Sequence, residues 1–166
     1  MKRTLYLMRH AKSSWKKPLP DRERPLNRRG KEAAERIGRE LVKRGITPDL
    51  ILASDAKRAR STAKRLLRAF PTHQRALLQL DPALYDADAR KILQEIARTD
   101  PKVRQLMVIA HNPGISELAA LLTSDRSLEW LPTGALVGIE IEGKDWKAIE
   151  PGDGELILRL FPRELE

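Results

Sequence analysis

Three short apolar runs, at residues 4–8, 50–53 and 106–110, are separated by longer segments whose apolar residues recur at helical spacing. No other feature limits the fold as much. Four or five apolar residues without polar alternation need cover on both faces, the condition of a strand inside a parallel sheet. Parallel neighbours require crossover connections, and the intervening segments supply them. After the first run, Ala33, Ala34, Ile37, Leu41 and Val42 share one stripe, with Asn27 placed as the helix cap and Gly45 as its stop. Ser54 is placed to cap a second helix, whose Ala56, Ala59, Ala63, Leu66, Leu67 and Phe70 form one face and which Pro71 ends. A weaker strand is expected near residues 76–79. A third helix follows, with Ala89, Ile92, Leu93, Ile96 and Ala97 facing inward. Asn112 reads as the cap, and Pro113 as the first-turn proline, of a fourth helix that buries Ile115, Leu118, Ala119 and Leu122. Residues 136–141 and 156–161, punctuated by Gly143 and Gly152, read as late strands. The pattern predicts an α/β fold: a three-layer α/β/α sandwich with a mostly parallel central sheet and an antiparallel edge. No repeat or linker divides it, so residues 1–166 are expected to form a single domain.

Composition narrows the chemistry. With no cysteine, disulfides, thiolate metal sites and cysteine nucleophiles are excluded. The three histidines lie far apart and no ligand spacing is present, so neither a metal nor a cofactor is expected. Lysine and arginine total 32 against 23 acidic residues, a net charge of +9 that attracts anions in general. Aromatics make up only 4% and do not interleave with the basic residues, which argues against a nucleic-acid partner. The first apolar run is too short for a secretory signal, and none approaches a membrane span. A cytoplasmic location without membrane association is the expectation.

In parallel sheets ligands sit beyond the carboxyl ends of the strands. Three clusters fall there: Arg9-His10 after the first run, Arg58 in the first turn of the second helix, and His111 after the run at 106–110. Helix starts beside them favour an anion. Phosphoryl transfer needs positive groups around the oxygens, and the forked guanidiniums of Arg9 and Arg58 suit that task. Neutral imidazole attacks phosphorus, so His10 is the expected nucleophile, its tautomer held by a backbone carbonyl. His111, without a flanking arginine, is read as support for the transferring group. His73 reads as an ordinary loop residue, Trp130 and Trp146 as packing; Lys12, Ser13 and Trp15 receive no role.

The string Leu7-Met8-Arg9-His10-Ala11-Lys12-Ser13-Ser14-Trp15 and the block Asp21-Arg22-Glu23-Arg24-Pro25-Leu26-Asn27-Arg28-Arg29-Gly30 resemble the histidine phosphatase superfamily, the phosphoglycerate-mutase-like fold, and within it the short SixA-like phosphohistidine phosphatases. The blocks around Arg58 (residues 54–62) and His111 (residues 110–114) are similar to those carrying the family's second arginine and second histidine. The resemblance implies catalytic roles for His10, Arg9, Arg58 and His111, and adds Arg24 to the phosphate-binding set of Arg9, Arg58 and His111. Two departures stand out. Ala11 replaces the family's usual glycine after the histidine, and no clear counterpart of the carboxylic acid of other branches appears around Asp81, Asp86 and Asp88. A phosphoramidate needs less help from an acid than an alkoxide ester does. The implied activity is therefore a metal-independent hydrolase working through phospho-His10 on phosphorylated substrates, including a histidine-phosphorylated protein domain. Two alternatives remain at this point: a small-molecule phosphomonoesterase with Asp86 or Asp88 as acid, and a non-catalytic basic nucleic-acid-binding module.

Overall fold

The computed structural model describes residues 1–165. Ten elements follow in chain order: β1 (Lys2–Arg9), α1 (Arg28–Lys43), β2 (Leu50–Ser54), α2 (Lys57–Leu67), β3 (Leu77–Asp81), α3 (Ala89–Ile96), β4 (Gln105–Ala110), α4 (Gly114–Thr123), β5 (Leu136–Glu142) and β6 (Gly154–Leu160). The strands form one sheet in the order β3-β2-β4-β1-β5-β6. β3, β2, β4 and β1 run parallel; β5 pairs antiparallel with β1, and β6 with β5. A mostly parallel sheet with an antiparallel edge is thus observed.

The uninterrupted apolar run of β1 has a direct cause. Successive strand residues point to opposite faces, and both faces are covered. Leu5 and Leu7 join a cluster with Ile92 and Ile96 of α3 and Leu118 and Leu122 of α4. Tyr6 and Met8 join the opposite cluster, with Ile37 and Leu41 of α1 and Ala59 and Leu66 of α2. Asn27 caps α1 through its Oδ1, which accepts from Gly30 N at 2.8 Å, and Gly45, with φ +71°, follows its end.

Three local expectations need correction. β3 lies one to two residues later than expected, because it is a half-exposed edge strand whose alternation is weak. Ser54 does not cap α2; the cap is Ala56, and the Ser54 Oγ, which accepts from Ala56 N, also meets His111 Nε2. Asn112 does not cap α4 either: Pro113 stands at the cap, while Asn112 Nδ2 donates to Leu131 O at 3.0 Å and its Oδ1 accepts from the Ser116 hydroxyl. In both cases a partner outside the helix, His111 Nε2 or Leu131 O, also engages the short polar side chain.

Candidate active site

Strand register builds the centre. Arg9 of β1 lies opposite Ala110 of β4, so the next residues, His10 and His111, leave the sheet side by side. His10 N donates to Ala110 O at 3.1 Å, and the two rings have centroids 5.2 Å apart. Gly134, at φ +76°, secures the same corner; its N–H lies 3.1 Å from Arg9 O and 3.0 Å from His10 O. That conformation is open to glycine and strained for other residues. Ala11 is fully buried, its N–H donates to Thr62 Oγ1 at 3.0 Å, and it is absent from the positive-φ residues. Alanine therefore fits at the position where the resemblance leads one to expect glycine.

His10 Nδ1 lies 2.8 Å from Ala11 O. A carbonyl only accepts, so Nδ1 carries the proton and Nε2 keeps its lone pair. Burial is the main cause that pushes the His10 pKa down to about 3; the Ala11 carbonyl opposes this, and His111, Arg58 and Arg9 add to it. His111 is pushed down to about 4, again chiefly by burial, with Arg58 next. These shifts keep both imidazoles neutral at pH 7.

Arg58 comes from the first turn of α2, where β2 ends. It is buried, with Nη1 donating to Asp21 O at 2.7 Å and Nη2 to Asp21 Oδ2 at 2.9 Å. Arg24 is also buried; it donates to Ser13 Oγ, approaches Asp21 at 3.8 Å, and lies under the Trp15 ring, 3.3 Å from its centroid. Arg9 donates to Leu131 O at 2.9 Å and stacks 5.5 Å from the Trp130 centroid. The Nε groups of Arg9 and Arg24 are buried without a partner among the described residues. The structure thus gathers His10, His111, Arg9, Arg58 and Arg24 around one corner of the sheet. His73 lies apart on an exposed turn. Trp146 is buried, with Nε1 donating to Val103 O at 2.9 Å, whereas Trp130 is 65% exposed and packs at the rim against Arg9.

Sequence reasoning missed Asp21 and Tyr85. The Tyr85 hydroxyl donates to Asp21 Oδ2, its ring meets His111 edge-on with centroids 5.5 Å apart, and Arg22 stacks on it at 4.3 Å. That hydroxyl, followed by Arg58, holds the Asp21 carboxyl below its ordinary range. Asp21 sits inside the 21–30 block but was hidden by flanking charges that read as a solvated loop. The remaining carboxylates near this edge are occupied or peripheral. Asp88 Oδ1 caps α3 through Lys91 N at 2.8 Å, Asp81 Oδ1 accepts from Ala83 N at 2.9 Å, and Asp86 is exposed at φ +53°. Among the described residues no group of three or more His, Asp or Glu could hold a metal ion, and no helix is long and apolar enough to cross a membrane.

The mostly parallel sheet with its antiparallel edge and covering helices is the phosphoglycerate-mutase-like α/β fold, which solved structures share. The chain belongs to the histidine phosphatase superfamily (branch 1), whose model matches residues 5–89. It is similar to an uncharacterized chloroplast protein of Arabidopsis thaliana, 34% identical over 129 residues, which cover 73% of this chain and 59% of that protein. Among solved structures it resembles a candidate phosphohistidine phosphatase SixA of Agrobacterium tumefaciens, with a TM-score of 0.81 and 29% identity over 96% of this chain and 98% of that one. A candidate SixA from Nakamurella shares the fold at a TM-score of 0.85 and 24% identity, covering 98% of this chain and 97% of that one. Within that superfamily the chain is SixA-like in fold and sequence.

Proposed function

We propose that residues 1–166 act as one histidine-phosphatase domain that hydrolyses protein phosphohistidine without a metal, through a covalent phosphate on His10. The observation that carries this reading is the His10 hydrogen bond: with Nδ1–H given to Ala11 O, Nε2 is an unprotonated nucleophile. Arg9, Arg58, Arg24 and His111 would hold the phosphoryl oxygens, where charge builds in the transition state. His10 Nε2 forms a bond to phosphorus as the substrate's N–P bond breaks, and the electron pair passes to the departing ring nitrogen. That ring leaves as neutral imidazole when its other nitrogen is protonated. Water then attacks phospho-His10, releasing phosphate and restoring the lone pair. The carboxylates favour a phosphoramidate over an alkyl ester. Asp21 is held ionised by the Tyr85 hydroxyl and by Arg58, so it offers no proton to an alkoxide.

The test is a panel containing a phosphohistidine protein, phosphoramidate and alkyl phosphomonoesters, with acid-labile phosphate trapped on the enzyme. Phosphoramidates should turn over faster, the trapped phosphate should map to His10, and His10→Ala should lose both. Wild-type rates in His10→Ala, or a preference for alkyl esters, would overturn the proposal.

A further inference from the structure

Ser54 ends β2 and is fully buried, with its Oγ 2.7 Å from His111 Nε2. The same oxygen accepts from the Ala56 N–H at 3.2 Å. These are the hydrogen bonds of the Ser54 side chain among the described residues. A hydroxyl has one proton to give, and leaving it unpaired in the interior is costly. Ala56 N–H is itself a donor, so the Ser54 proton has one acceptor within reach, the Nε2 of His111. Nε2 accepts only as a lone pair.

Neutral His111 must then carry its own proton on Nδ1. That nitrogen is buried and has no partner among the described residues. The two imidazoles are therefore protonated on the same ring atom but bound at opposite poles. His10 has its N–H tied to Ala11 O and its lone pair free; His111 has its lone pair tied to Ser54 and its N–H free. One ring is left to give electrons and the other to give a hydrogen bond.

We propose that Ser54 is a positioning residue that fixes the Nδ1–H tautomer of His111 and so reserves that N–H for a phosphoryl oxygen. The assignment of the acceptor rests on the phosphatase reading above; the tautomer does not. With the opposite tautomer, His111 would turn a lone pair toward the phosphoryl oxygens and repel them. The β2 strand end thus contributes Ser54 to the site as well as leading into Arg58, although neither Ser54 nor its hydroxyl touches substrate.

Long-range proton–nitrogen correlation spectra at neutral pH separate the two imidazole tautomers. The wild-type protein should show His111 protonated on Nδ1, and this spectrum needs no variant. Ser54→Ala should give a mixture containing the Nε2–H form, and Ser54→Thr should restore the wild-type pattern. With phosphoramidate as substrate, Ser54→Ala should lower kcat about two- to tenfold, the worth of one neutral hydrogen bond, with KM little changed. A wild-type His111 protonated on Nε2, or a pure Nδ1–H form persisting in Ser54→Ala, would overturn the inference. Failure of the wild-type protein to hydrolyse any phosphoramidate would overturn the phosphatase reading instead and leave the tautomer spectra to judge Ser54.

Discussion

Acid should weaken this fold well above the pH at which carboxylates titrate, through His10 and His111. Their folded pKa values lie at about 3 and about 4, against 6.5 for an ordinary histidine. As pH falls below 6.5 the unfolded chain takes up a proton at each ring while the folded chain does not, so protonation pulls toward unfolding. The stability held above 6.5 is lost progressively as pH falls toward the folded values. At about pH 5 the unfolded state has gained roughly 1.5 pH units of protonation free energy per ring, about 2 kcal/mol each and about 4 kcal/mol together. Against the usual 5–15 kcal/mol of a small domain that is a large fraction. Urea unfolding in phosphate-free buffer at several pH values between about 8 and 5 measures it, with a His10→Asn/His111→Asn double variant as reference. The gap between the two proteins should close, or shift in the variant's favour, by about 4 kcal/mol on acidification. A wild-type loss no greater than that of the double variant would refute the account, because the buried rings would then not be the source.

Three further outcomes are expected. Arg58→Lys keeps a charge but cannot place two N–H groups on Asp21 and a third toward an oxygen, so kcat/KM on phosphoramidate should fall about 10- to 100-fold; a loss under twofold would exclude a forked grip. Gly30→Ala would drive a Cβ into the backbone of Lys12, two residues after the nucleophile, and thermal unfolding should show a loss of about 2 kcal/mol. Asp88→Ala should cost about 1 kcal/mol of stability through the lost cap yet leave turnover of phosphoramidate and esters alike; loss of ester turnover alone would return Asp88 to the role of acid.

Legibility differed by the kind of signal. The apolar runs that became β1, β2 and β4 and the stripes that became α1 to α4 were readable because burial on two faces, or on one helical face, leaves a period in the residues. Gly45 and Asn27 were readable because a left-handed residue and a cap act locally. Ser54 and Asn112 have the same local signature, but their partners, His111 and Leu131, are distant in sequence and close only after folding. The gathering of His10, Arg58 and His111 at one edge followed from strand–helix alternation alone. Asp21 did not follow, since an acid among arginines looks the same whether it faces water or a guanidinium. Trp130 was legible as packing but its place was not: an indole is large and apolar in the core or at the rim, and here it lies at the rim, stacked on Arg9.

The Asp21–Arg58 ion pair has a consequence for the rhythm of turnover. On the proposed chemistry the Arg58 guanidinium is already supplied with an anion of the chain's own, backed by the Tyr85 hydroxyl. An arriving phosphoryl group therefore swaps places with, or shares, a resident carboxylate instead of meeting bare positive charge. The same carboxylate is at hand when free phosphate is formed, ready to reclaim the guanidinium, so the protein carries within its own chain the competitor that keeps its product from lingering.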